Sequence, residues 1–262
     1  MPPGSVPWLA SAGLHRSDPV PRRRLIIFAK LPEPGRVKTR LIPRLGPDGA
    51  ALLYEAFLDD TIALCQRVKE VGLEVWAAGD ESAPDGERGG AAYFGRRHPG
   101  LRFRYQVGAD LGGRLRGAFE TAFEEGCDDV VVTGSDHPTL PIGYVRRAFT
   151  ALTTTEVVVG PSADGGYYLL GLRRQTWPKA AGLFADVPWS TPEVLAATRE
   201  RARGLELRHV ELPEWYDVDD PSDLMRLGRD ADAGSHTARA LVRLTAGAET
   251  GRGLTGTGND SR

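Results

Sequence analysis

Residues Arg22–Ala50 read RRRLIIFAKLPEPGRVKTRLIPRLGPDGA, and the passage from LIIFA (Leu25–Ala29) into LPEPGRVKTRL (Leu31–Leu41) decides how the rest of the chain is read. LIIFA is too short for a helix, and its adjacent isoleucines suit a buried strand. The prolines and the glycine that follow end it abruptly. A buried strand that empties into a loop carrying Arg36, Lys38 and Arg40 is the opening of an α/β unit.

The pattern continues downstream. Within GPDGAALLYEAFLDDTIALCQRVKE, Leu52, Leu53, Ala56, Phe57, Ile62, Leu64 and Val68 recur at roughly helical spacing, and Gly72 stops the run. LEVWAA and LRFRYQV read as strands, DLGGRLRGAFETAFEEG as a helix ending at Gly126, and DVVVTG as another buried strand. A helix at Ile142–Leu152, strands at Glu156–Gly160 and Tyr167–Leu172, a helix in TPEVLAATRERARG and a strand in LELRHVEL follow, then a short helix opened by Pro221. No internal repeat interrupts this order. Strands alternating with helices imply one α/β domain with a mostly parallel sheet and helices on both faces. Ligands of such sheets bind outside the carboxyl ends of the strands.

The 262 residues are 41% hydrophobic and 26% charged, enough for a sizeable core and against disorder or a fibrous class. Lys and Arg number 33 against 35 Asp and Glu, a net charge of -2 that offers no global field for nucleic acid. Cys65 and Cys127 make no disulfide framework, so a reducing cytoplasm is expected. The proline-rich start has no continuous apolar h-region and no later run approaches a membrane span, so neither export nor membrane association is expected. From Arg229 onward Gly, Thr, Ala and Asp dominate. The expected organisation is therefore a tail over residues 1–23, a domain over 24–228 and a second tail over 229–262.

Five loops hold the candidate chemistry. The first, PEPGRVKTRL, invites comparison with a P-loop, but Val37 stands where that motif needs a glycine before its lysine. What survives is Gly35, which permits close backbone approach, with Lys38 and Arg40 able to neutralise phosphate oxygens; a solvated basic turn is the alternative. In the second, Gly108, Gly112 and Gly113 surround Asp110 at a helix start beside Arg114, which reads either as an anion site or as turn chemistry with an Asp110 cap. The third, VVVTGSDHPTL, delivers Asp136 from the end of a buried strand, suited to a Mg²⁺ that keeps water and phosphate in its other positions. His137 beside it reads as a bystander rather than a base. Asp164, Gly165 and Gly166 form the fourth loop, a tight turn after which Tyr167 or Tyr168 lines a pocket. In the fifth, Asp217 and Asp219 point the same way if Val218 is extended, as paired metal ligands or as an exposed cluster before the Pro221 helix.

The order of these loops resembles the bacterial family of radical-SAM/selenodomain-associated transferase 1, related to the guanylyltransferases that act on molybdenum cofactor and on 2-phospholactate. The segments that carry the resemblance are FAKLPEPGRVKTRL, GADLGGRL, GSDHPTL, GPSADGGYYLLGL, PWSTPEVL and DVDDPSDL, spanning about Leu25–Leu227. The resemblance implies a Rossmann-like nucleotide-diphospho-sugar transferase (GT-A) fold and a transfer dependent on Mg²⁺ or Mn²⁺. By position it implies Lys38 and Arg40, with Gly35 and Thr39, on phosphates and Gly108, Asp110, Gly112 and Arg114 in the nucleotide site. It implies Asp136 with Asp217 or Asp219 on the metal, and Asp164, Gly165, Gly166 and Tyr167 beside the acceptor. The proline-rich opening departs from the GGxGTR opening of sugar nucleotidylyltransferases.

The expected partners are a nucleoside triphosphate or a nucleotide sugar and a small-molecule acceptor, with no nucleic acid or membrane; a homodimer is left open. The basic loop favours nucleotidyl transfer, because a departing pyrophosphate needs cations, with Lys38, Arg40 and Asp136 as the catalytic residues. Glycosyl transfer is the second reading, and a non-catalytic nucleotide-binding module the third.

Overall fold

The computed structural model describes residues 22–79 and 89–252, with side chains to residue 246. The elements are β1 (Arg23–Lys30), α1 (Ile42–Cys65), β2 (Gly72–Ala78), α2 (Gly90–Arg97), β3 (Arg102–Tyr105), α3 (Leu111–Glu124), β4 (Asp129–Thr133), α4 (Ile142–Ala151), β5 (Val157–Pro161), β6 (Tyr167–Arg173), α5 (Trp177–Ala180), α6 (Val194–Gly204), β7 (His209–Glu211), α7 (Asp223–Asp230) and α8 (His236–Arg252).

One seven-stranded sheet runs in the order β3-β2-β1-β4-β6-β5-β7. β1 pairs parallel with β2 and β4, β2 with β3, and β5 with β7, whereas β6 runs antiparallel to both β4 and β5. The sheet is thus mostly parallel, as expected, and β6 is the exception because a hairpin over residues 162–166 folds it back between β4 and β5. In β1 the side chains alternate across the sheet. Leu25, Ile27 and Ala29 join α1 and α4 on one face, while Ile26 and Phe28 join α3, α5 and α6 on the other. Burial on both faces is why this strand reads as a continuous apolar run. The chain leaves β1 for β2 and β3 on one side and returns through β4 on the other, so the sheet's switch point lies between the carboxyl ends of β1 and β4.

The C-terminal expectation is corrected. Residues 229–246 are no tail: α7 reaches Asp230, and α8 packs Thr237, Ala240, Leu241 and Leu244 against or near the core formed with α1. Asp60, on α1, accepts hydrogen bonds from the amides of His236 at 2.9 Å and Thr237 at 2.8 Å, capping α8 from another helix. Ser235 accepts from Ala238 N at 2.9 Å. The low apolar content of this stretch is offset by a partner surface that lies far away in sequence. At the other end, β1 begins at Arg23, inside the expected N-terminal tail; residues 1–21 and 253–262 of the expected tails lie outside the described residues. α2 and α5, neither of them anticipated, cover the two faces of the sheet.

Among the described residues, no helix is long and apolar enough to cross a membrane. Cys65 and Cys127 are both buried, and burial pushes Cys65 up to about 12, which leaves it unreactive.

Candidate active site

A cleft of about 400 Å³ opens at the switch point between β1 and β4. Its walls come from the loop after β1, the end of β4, the start of α3, the start of β6 and the loop before α7. Lys38, Thr39 and Arg40 line it from the first of these, Asp136 from the second, Arg114 from α3, Tyr167 from β6, and Asp217 and Asp219 from the last. Gly35, Gly108, Asp110, Gly112, Asp164, Gly165 and Gly166 do not line this cleft.

Lys38 is the centre of the arrangement. Its Nζ contacts the Oδ1 atoms of Asp136 and of Asp219, the latter at 2.8 Å, and its side chain is only 4% exposed. Asp136 and Asp219 stay open to the cleft, 44% and 42% exposed. Burial works against a charged Lys38, but the two carboxylates outweigh it and hold the ammonium above the ordinary lysine range. Burial likewise acts to raise Asp136, and Lys38 reverses this, keeping the carboxyl below its usual value. Among the described residues Arg40 pairs with Asp220, at 3.8 Å with both side chains mostly exposed, a pairing of little strength that leaves Arg40 available to a ligand.

The other carboxylate of the late loop has a different occupation. Val218 is fully buried while Asp217 and Asp219 both line the cleft, yet the two carboxylates diverge in partners. Asp217 Oδ1 accepts from Ser162 Oγ and lies 3.0 Å from His137 Nδ1. Burial disfavours the charged forms of both; their mutual attraction prevails, raising the His137 pKa and lowering that of Asp217. Asp164 is pushed the other way, upward, by its burial and by the nearby Asp217 charge. His137, read from sequence as a bystander, thus lines the cleft and anchors the late loop through Asp217 and the Tyr216 carbonyl, 3.3 Å away.

The predicted residues outside the cleft have structural places in the turns and helix start around it. Asp110 is the N-cap of α3, accepting from Gly113 N at 2.7 Å. A Cβ on Gly112 would stand 2.2 Å from Trp189 Nε1, so the glycine lets the indole of the PWST loop pack against α3. Gly165 has φ +90 and its Cβ would lie 2.2 Å from the Pro192 carbonyl oxygen; it makes the β5–β6 turn, where Asp164 accepts from Gly166 N at 2.9 Å. Gly35 sits in the exposed turn closed by Arg36 N donating to the Glu33 carbonyl at 3.0 Å.

Sequence reasoning missed three cleft residues. Tyr54, on α1, accepts from Lys30 N at 2.9 Å and shares a hydrogen bond with Ser135 Oγ at 2.7 Å, tying the end of β1 to the segment that carries Asp136. Burial pushes its hydroxyl up to about 12, so it stays neutral. Gln106 donates from Nε2 to the Trp76 carbonyl at 2.8 Å and the Ala29 carbonyl at 3.2 Å, closing the ends of β1 and β2. Ser135 itself, 2% exposed, is the third. Tyr54 lies inside the helical pattern of α1, where nothing local sets it apart; its role shows only once α1 lies across the strand ends.

The fold and this geometry can be set beside known proteins. No curated protein matches the chain in sequence. A crystal structure from Desulfovibrio desulfuricans G20, described as a nucleotide-diphospho-sugar transferase, shares 33% identity and a TM-score of 0.77 over 86% of this chain and 96% of its own. A cytidylyltransferase from Leptospira borgpetersenii superposes with a TM-score of 0.51 at 14% identity over 92% and 99% of the two chains. A 4-diphosphocytidyl-2C-methyl-D-erythritol synthase gives a TM-score of 0.51 at 12% identity over 80% and 98%. At those identities the last two show the fold alone, which is that of the nucleotide-diphospho-sugar transferases. Residues 61–191, half of the chain, match the family described as "Uncharacterized protein conserved in bacteria (DUF2064)", and to that family this chain belongs.

Proposed function

We propose that this chain, a nucleotide-using transferase, moves a nucleotidyl group from a nucleoside triphosphate to a small acceptor and releases pyrophosphate. The observation that carries the reading is the convergence of Lys38, Thr39 and Arg40 with Asp136 and Asp219 in one cleft at the switch point of a transferase fold. An acceptor oxygen attacks the α-phosphorus in line, the bond from that phosphorus to the β-phosphate bridging oxygen breaks, and the electron pair leaves with pyrophosphate. Little covalent work falls to the protein in such a step; it positions the reactants and neutralises charge. Arg40 and Thr39 suit the leaving phosphates, and Arg114 lines the same cleft from α3.

The donor set also fits Mg²⁺ or Mn²⁺. Carboxylates of Asp136 and Asp219 approach one point from two loops and remain open to the cleft. Among the described residues, no three His, Cys, Asp or Glu side chains gather to hold a metal by themselves. That suits an ion that takes one or two carboxylates and completes its shell with water and phosphate. Asp217 fits less well, being committed to His137 and Ser162. A bound divalent ion would supply neutralisation of charge developing on the phosphates. The finer resemblance to transferase 1 of the radical-SAM/selenodomain group and a cytoplasmic setting belong to the same proposal.

Glycosyl transfer from a nucleotide sugar is the second reading, favoured by the description of the Desulfovibrio protein. The two separate by leaving group. Incubation with each nucleoside triphosphate and with nucleotide sugars, across a panel of phosphorylated and hydroxyl acceptors, should release pyrophosphate; release of a nucleoside diphosphate alone would replace the first reading by the second.

A further inference from the structure

The carboxylates suited to a divalent cation are already bridged by one from the chain itself. Lys38 adopts a left-handed backbone, φ 46 and ψ 45, which a residue with a Cβ rarely takes. From it the side chain runs inward, its Nζ 5.8 Å from the centre of the Phe57 ring, and ends between Asp136 Oδ1 and Asp219 Oδ1. Neither partner is a sequence neighbour, and the Asp219 contact spans 181 positions.

We infer that Lys38 is a resident competitor of the metal, so that a divalent ion gains the Asp136–Asp219 position only when phosphate draws the ammonium away. The inference rests on the proposed role of these two carboxylates. With Lys38 in place the trio carries a net charge of one negative unit; without it the same space carries two. Mg²⁺ gives up its waters reluctantly and gains little from carboxylates that already hold a cation. A triphosphate changes both sides of that balance, because it offers the ammonium charge-assisted acceptors and brings oxygen ligands for the ion. Asp217 is less free to move to such an ion, since His137 and Ser162 both hold its Oδ1. Metal and nucleotide would therefore enter together, and the empty enzyme would not hold an idle ion in its cleft.

The test is a Mn²⁺ titration of the full chain without nucleotide, followed by the paramagnetic signal of free Mn²⁺. Lys38→Met should bind Mn²⁺ at least about 10-fold more tightly than wild type, the scale of one charge–charge contact at a half-exposed site. Lys38→Arg, which keeps the charge, should bind as weakly as wild type. The gain should vanish in the double variant Lys38→Met/Asp136→Asn. Should Lys38→Met fail to fold, Lys38→Gln keeps a donor for the carboxylates and carries the same expectation. Equal affinity in wild type and the neutral variants would overturn the competition while leaving the metal site standing. Absence of Mn²⁺ binding in every variant, with nucleotide also failing to elicit it, would remove the site and the inference together.

Discussion

Replacing Asp136 by Asn separates two effects that the geometry predicts with defined size. From sequence, three acids near one cleft suggest that losing a charge would relieve repulsion and leave stability unchanged or raised. The Lys38 contact reverses that sign: Nζ, 4% exposed, would keep only Asp219 as a counterion. A hydrogen bond to a charged group contributes about 1.5–3 kcal/mol. Asp136 is 44% exposed, so solvent screens part of this, and a loss of about 1–2 kcal/mol remains. For a domain of this size that lowers the melting temperature by roughly 2–8 °C. The acid limb follows from the same contact. Asp136 has a folded pKa held below its unfolded value, so its contribution is full above the unfolded pKa and disappears as pH falls through the folded one. Thermal melts of wild type and variant at neutral pH, with and without Mg²⁺ and nucleotide, give both readouts. The wild type should be stabilised by ligand through linkage and the variant should not. A variant as stable as wild type that still shows the full ligand shift would refute the placement of Asp136.

Asp59, gripped by Arg97 at 2.8 and 2.6 Å, has its pKa lowered from 3.8 to about 2 although burial opposes this. Its contribution of about 2 kcal/mol should be present above pH 4 and lost as pH falls towards about 2, and Asp59→Asn should flatten that acid limb in urea titrations. Gly112→Ala should displace Trp189 and cost about 1–3 kcal/mol, read as quenched or shifted indole fluorescence together with a lower melting temperature; an unperturbed Trp189 signal would contradict the packing. Deletion of residues 232–262 removes α8 from α1 and should lower the unfolding free energy read from urea titrations by about 2 kcal/mol or more, whereas a true tail could be removed without effect.

The architecture was readable because its strands are short apolar runs with β-branched residues and its helices carry a 3.6-residue period, many of them bounded by Gly or Pro. β6 could be seen as a strand but not as antiparallel, since direction is set by the five-residue turn and by insertion between β4 and β5. Lys38, Arg40, Asp136, Asp217 and Asp219, which line the cleft, could be singled out because they are charged residues in the loops between elements, and Thr39 because it stands between two of them. What each charge meets was hidden. Nothing local to Lys38 shows that two carboxylates take its ammonium, or that His137 and Ser162 claim Asp217 and leave Asp219 open. Tyr54 and Gln106 were invisible for a related reason: they are uncharged and act on backbone groups of distant strands. α8 was masked because the amides of His236 and Thr237 at its start are capped by Asp60 on α1.

The 181-position span between Lys38 and Asp219 also sets the order in which this protein can become active. Contacts so far apart form late, after the entropy of closing a very long loop has been overcome. During synthesis, β1 to β4 can pair as they emerge, but the ammonium of Lys38 has no Asp219 to meet until almost the whole domain has left the ribosome. Until then the loop after β1 lacks both that counterion and the packing of Val37 and Leu41 against Tyr216 and Val218. Competence therefore arrives in one late step, so a nascent chain or a product stalled before Tyr216 would have no working cleft with which to engage nucleotide.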